Sequence, residues 1–291
     1  MLSTAVLLVL CSGIMHAVWN LFTKKSLNKS VFLWSIHITG ALLLLPYFIH
    51  ELITKPLSME ALGFIATSVC FQGAYFIFLS KSYSYGDLSQ IYPLMRGTGV
   101  MLVTLLSVFL FGESLPAMGW IGLLLIVGGL FAISGLLSSF LSKGSSRIQS
   151  GGGKPTALLF ALVVGCCIAG YTLMDKQIIM HLSPLSTLEL SNLSYVVFSS
   201  FTVLRSRQIR AEWQANWKTI LVGSICSPGS YLLFLFAMTL SPLSSIAPIR
   251  EVGTVFGTLL GVLLLKEQQG VRRIALSAVI TLGIISVALS N

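Results

Sequence analysis

The chain has 291 residues, of which 55% are hydrophobic and 9% charged, and its mean hydropathy is +0.90. That composition cannot cover a water-facing surface, so it leaves no soluble domain and reads as an integral, multi-pass membrane protein. The net charge of +9 does not point to nucleic acid, because the basic residues sit mostly at the ends of apolar runs, where they set membrane topology.

A helix needs about 20 apolar residues to cross the hydrocarbon. Ten stretches qualify: 2–22, 31–50, 60–80, 88–111, 117–137, 156–174, 186–204, 217–239, 244–265 and 272–290. The first, "MLSTAVLLVLCSG", has neither a basic leader nor a small-residue cleavage motif and reads as a membrane helix rather than a removed signal. It carries "HAVWN", in which His16 and Asn20 share a face at i,i+4 with Trp19 beside them. These three either contact a solute or form an interfacial tryptophan with polar packing contacts.

Helix three carries Tyr75 and helix eight Tyr231, which line a cavity with a hydroxyl or pack as aromatics. Helix four opens on "LSQIYPLMRGTG", with Pro93 and Arg96 inside an apolar run; helix nine opens on "LSSIAPIREVG", with Pro248, Arg250 and Glu251. Proline lacks a backbone NH and disfavours helix before it, so both segments are expected to kink or restart there. A restarted helix presents unpaired NH groups and a positive dipole end that suit an anion, whereas a plain kink needs no ligand. Gly253, Gly257 and Gly261 stand four apart on helix nine and predict a close helix contact, inside one subunit or between two subunits of a homodimer. Cys11, Cys70, Cys166, Cys167 and Cys226 lie in apolar segments at no metal-ligand spacing and read as buried free thiols.

"SKGSSRIQSGGGKP", residues 142–155, is a flexible linker by its glycine and serine content. It divides the chain into residues 1–141 and 156–291, five helices each. The halves resemble one another in order. "GIMHAVWNLFTKK" aligns with "GCCIAGYTLMDKQ", "QGAYFIFL" with "PGSYLLFL", and one gap brings Arg96 onto Arg250 and Glu113 onto Glu267. An odd number of helices forces the second copy into the membrane upside down, so the fold class is all-α, ten transmembrane helices in two inverted five-helix repeats. Loop charges give the same alternation. One side holds the basic residues from Lys24, Lys25 and Lys29 to Arg272 and Arg273, whereas the side where the chain starts holds only Lys55 and Lys176. The positive-inside rule then puts both termini outside.

An arginine at the centre of a bilayer helix costs about 2.5–3.5 kcal/mol on insertion scales, so Arg96 and Arg250 require compensation. Either each snorkels to its nearest interface or pairs with Glu251 and carbonyls, or both face a central cavity and hold a substrate carboxylate or phosphate with their forked donors. Glu251 is the foremost intramembrane acid for carrying a proton and Glu189 the second, and either also serves to neutralise an arginine.

Ten helices in tandem five-helix halves, "GDLSQIYPLMRGTG" opening helix four, and "GE" at 112–113 followed by "GWIGLLLIVGGL" together resemble the EamA-type branch of the drug/metabolite transporter superfamily. The resemblance covers nearly the whole chain. It implies export or exchange of a small metabolite through a central cavity lined by helices of both halves, in a cell membrane such as the bacterial inner membrane. It also implies termini in the cytoplasm, as in many members, against the charge reading. "KE" at 266–267 departs from the "GE" pattern.

A membrane enzyme would need a nucleophile with its base or a metal-ligand set. The sequence has no HExxH, no GxSxG and no clustered Asp/His pair, so no catalytic residue, metal or cofactor is assigned. A channel would need a filter signature, which is also missing. The leading expectation is a secondary transporter working by alternating access. The arginines favour an anionic substrate such as an amino acid or phospho-compound; the aromatic content favours a neutral, aromatic or drug-like solute. A receptor or assembly protein using the glycine face is the remaining alternative.

Overall fold

The computed structural model describes residues 2–85, 88–134, 155–257 and 270–290. Among them are ten helices and no strand: α1 (Leu2–Lys25), α2 (Lys29–Thr54), α3 (Met59–Tyr85), α4 (Leu88–Phe111), α5 (Ala117–Ser134), α6 (Pro155–Ile178), α7 (Pro184–Ser206), α8 (Ile209–Leu240), α9 (Leu243–Ile249) and α10 (Gly270–Leu289). Hydrocarbon offers backbone groups no water, and helices satisfy them within one segment. Six of the ten, α1, α2, α3, α4, α6 and α8, are long and apolar enough to cross a membrane. The expected linker lies outside the described residues up to Pro155, as do Gly261 and Glu267.

Two helix limits differ from expectation with consequences. Helix α6 runs past 174 to Ile178, which takes Asp175 and Lys176 out of the expected loop and into the helix. Helix α8 begins at Ile209 and bends at Asn216 (φ −126°, ψ 19°), next to the expected start at 217. Helix starts are capped as their sequences dictate. Asn28 Oδ1 accepts from Ser30 N and Val31 N, and Ser183 Oγ accepts from Ser186 N with Pro184 in the first turn.

The chain forms two compact units, each drawing on both halves of the sequence: Met1–Ile77 with Gly170–Ser241, and Phe78–Ala169 with Pro242–Asn291. In the first, α1 packs on α8, and α2 packs on α7 and α8. Along α2 the partners on α7 fall in number as α2 rises: Trp34 Nε1 donates to Ser200 Oγ at 2.9 Å, His37 Nδ1 meets Asn192 Oδ1 at 3.0 Å, and Ser183 N donates to Glu51 Oε1 at 3.0 Å. The two helices are therefore antiparallel.

In the second unit α5 packs on α10 and α4, and α9 packs on α4 and α10. A Cβ at Gly119 would lie 2.9 Å from Ser290 Oγ, one at Gly122 2.6 Å from the Gly283 carbonyl, and one at Gly129 2.6 Å from Ile280 Cγ1. This pair too is antiparallel, with backbones close enough to require glycine.

The helix does not restart at Pro93. Helix α4 runs unbroken through it, because the ring forfeits only the bond to the Ser89 carbonyl, close to the helix start. Helix α9 contains Pro248 and stops at Ile249: 250–251 is a turn, and 252–257 is helical again. Arg250 N reaches back to the Ile246 carbonyl at 3.2 Å, and three-residue bonds carry the chain across, Glu251 N to Pro248 O at 3.1 Å and Thr254 N to Glu251 O at 2.8 Å.

Candidate functional site

The turn at 250–251 projects Glu251 into the second unit, where Arg96 of α4 meets it. Arg96 Nε donates to Glu251 Oε2 at 3.3 Å, and Nη2 donates to Oε1, so the guanidinium engages the carboxylate by two donors. Thr254 Oγ1 adds a bond to Oε2 at 2.8 Å. Both charged side chains are buried, Glu251 at 1% exposure and Arg96 at 7%. Arg250, also buried, lies within electrostatic reach of Tyr92, as do Arg96 and Glu251. Two guanidiniums and one carboxylate thus share this part of the unit. Glu113, in the segment between α4 and α5, secures the start of α9 by accepting from Leu243 N at 2.9 Å and Ser244 N at 2.7 Å. A carboxylate at a helix N-terminus satisfies orphan NH groups and opposes the positive dipole end. A Cβ at Gly257 would meet Tyr92 Cε1 at 3.9 Å, an ordinary van der Waals distance, so the close helix contact expected of the glycine series is not made there among the described residues.

The other candidate residues fall in the first unit. His16 packs edge-on against Trp19 with ring centroids 4.8 Å apart. Trp19 Nε1 is buried and accepted by no group among the described residues. Asn20 Nδ2 donates to the His16 carbonyl at 2.8 Å, which commits that amide to its own helix. Tyr75 and Tyr231 are joined through Tyr171: ring centroids are 5.7 Å apart for Tyr75 and Tyr171, and 6.1 Å for Tyr171 and Tyr231, both edge-to-face. Tyr195 extends the row at 6.0 Å from Tyr75, and His37 lies 4.4 Å beyond it.

Each half of the sequence matches the EamA-like transporter family, over residues 3–135 and 155–289. The chain belongs to the EamA-like transporter family. A solved structure described as "Crystal structure of protein" has the same fold, with a TM-score of 0.69 and 14% identity over 99% of this chain and 97% of that one. EamA-like proteins are membrane transporters of small solutes.

Sequence reasoning missed one of the buried acids. Asp175, 1% exposed, accepts from Ser68 Oγ at 2.5 Å, from Gln72 Nε2 at 3.3 Å and from the Tyr231 hydroxyl. The one local signal was the i,i+4 spacing of Tyr171 and Asp175, visible only once α6 is carried past 174. Glu189, by contrast, was anticipated as an acid. It is buried, accepts from Asn192 Nδ2 at 3.3 Å on Oε2, and its Oε1 has no hydrogen-bond partner among the described residues.

Proposed function

We propose that the protein is a secondary transporter that exports or exchanges a small metabolite by alternating access of two inverted five-helix halves, in the bacterial inner membrane. The observation that carries the reading is the buried Arg96–Glu251 pair at the interruption after α9. A guanidinium fork already committed to one carboxylate is the geometry that an incoming anionic group can take over, with Glu251 released as it does so. The inverted arrangement draws support from α2 with α7 and α5 with α10, which are corresponding helices of the two halves and run antiparallel. A neutral or aromatic solute is the second reading, favoured by the row Tyr75, Tyr171, Tyr231.

Thermal stabilisation of the detergent-purified protein by amino acids, phosphorylated metabolites and neutral aromatics tests both. A ligand at 100 times its dissociation constant adds about 2.7 kcal/mol to the folded state. The expected outcome is stabilisation by an anionic compound, lost in Arg96→Gln and in the charge-balanced Arg96→Gln/Glu251→Gln. Stabilisation by neutral compounds alone, equal in all three proteins, transfers the site to the tyrosine row.

A further inference from the structure

Among the described residues, every hydrogen bond that Asp175 accepts through its side chain comes from an uncharged group: Ser68 Oγ on Oδ1, Gln72 Nε2 and the Tyr231 hydroxyl on Oδ2. Its sequence neighbour Lys176 donates instead to the Met238 carbonyl, at 2.6 Å. The titratable group on the carboxylate is Tyr231 of α8, and beyond it stand Tyr171 of α6 and, through Tyr171, Tyr75 of α3. The carboxylate is buried in a span long and apolar enough to cross hydrocarbon, where an ionised acid without a positive partner is held at high cost.

A second observation points the same way. Gln72 is 1% exposed, its Nε2 is shared between Asp175 and Ser68 Oγ (3.0 Å), and its Oε1 accepts nothing among the described residues. A half turn of that amide exchanges its two ends and sets Oε1 beside the oxygens of Ser68 and Asp175. In that orientation Oε1 joins the carboxylate and the two hydroxyl oxygens as a fourth oxygen able to ligate a cation, with the hydroxyl protons turned outward.

We propose that Asp175, Ser68, Gln72 and Tyr231 form a site for a monovalent cation, a proton or a sodium ion, that neutralises the carboxylate. On the transporter reading given above, this cation is the coupling ion. Tyr231 joins the site to the tyrosine row, so loading it alters the hydroxyl that anchors one end of that row.

The test uses the full chain and the ions alone. Thermal unfolding in detergent is followed at constant ionic strength with sodium chloride replaced by choline chloride, and at about pH 6 against about pH 8. The midpoint of the wild type is expected to rise by about 5 °C with sodium or with acid, whichever ion the site takes. Asp175→Asn is expected to respond to neither, and Gln72→Leu, which keeps the carboxylate, to respond less than half as strongly. Infrared difference spectra of the wild type need no variant to fold: acid creates a carboxylic acid band, or sodium shifts the carboxylate stretch. A wild type silent to both ions by both methods, or an Asp175→Asn protein that responds like the wild type, overturns the site. Uptake of a radiolabelled amino-acid hydrolysate and of a radiolabelled sugar phosphate by proteoliposomes is measured separately. An ion response without solute movement overturns the coupling and leaves the site standing, whereas solute movement without an ion response overturns the site and leaves the transporter.

Discussion

At Arg96 the decisive quantity is the state of a buried guanidinium once its partner is gone. Removing one member of a buried ion pair typically costs about 3–5 kcal/mol, whereas replacing both removes the uncompensated charge as well as the attraction. Arg96→Gln and Glu251→Gln are each expected to lower stability by about 3 kcal/mol, and the double variant to lose less than either. A thermal-unfolding cycle on the four proteins measures this; additive losses would mean that the contact carries no coupling. Arg96 was legible in the sequence because a charge inside an apolar run has to be explained. Its partner was legible only as one of two readings, since two arginines and one glutamate do not say which pair meets. Asp175 was not legible. The groups that surround it, Ser68, Gln72 and Tyr231, are far away in the chain, and the run "DKQ" at 175–177 reads locally as a polar loop.

Between elements, the α5–α10 contact turns a glycine-rich pattern into a testable distinction. "GWIGLLLIVGGL" contains Gly119, Gly122, Gly128 and Gly129, and composition alone does not rank them. In the structure a Cβ at Gly122 would lie 2.6 Å from the Gly283 carbonyl, whereas one at Gly128 meets nothing within 4 Å. Gly122→Ala is expected to destabilise by about 1–3 kcal/mol, since backbone must move to admit the methyl. Gly128→Ala is expected to be neutral or to stabilise by up to about 1 kcal/mol through helix propensity. Thermal midpoints of the two variants check it, and equal effects would remove the close contact. The same scale explains why only one proline-containing segment breaks. Pro93 and Arg96 are three residues apart and Pro248 and Arg250 two, and deleting one residue rotates the rest of a helix by about 100° about its axis. The turn at 250–251 falls at that deletion. In the sequence the deletion is visible only as a gap between the two halves, whereas the proline is common to both and does not distinguish them.

Across the whole molecule, the charge asymmetry becomes a statement about orientation because the structure ties the relevant segments together. Asn28 N donates to Glu212 Oε2 at 2.7 Å and Asn28 Nδ2 to Gln208 Oε1 at 2.8 Å, so the α1–α2 and α7–α8 connections sit at one end of their unit. These connections hold Lys24, Lys25 and Lys29, and Arg205, Arg207 and Arg210. The opposite end joins Glu51 to Ser183 and Ser186, with Lys55 bound to Glu51 at 2.7 Å, so one of the two basic residues there is partnered by an acid. A surplus of basic residues on one side is what the positive-inside rule reads as cytoplasmic. On the proposed ten-span arrangement, the chain returns to the side on which it began. A green fluorescent protein fused after residue 291 is therefore expected to be dark in a bacterial host and an alkaline phosphatase at the same point active, with the reverse for fusions within 142–155. A fluorescent fusion at 291 with an inactive phosphatase would put both termini in the cytoplasm, as in many members of the superfamily. The clustered lysines and arginines would then face outward, and their role would have to be sought in binding an anionic solute or surface rather than in topology.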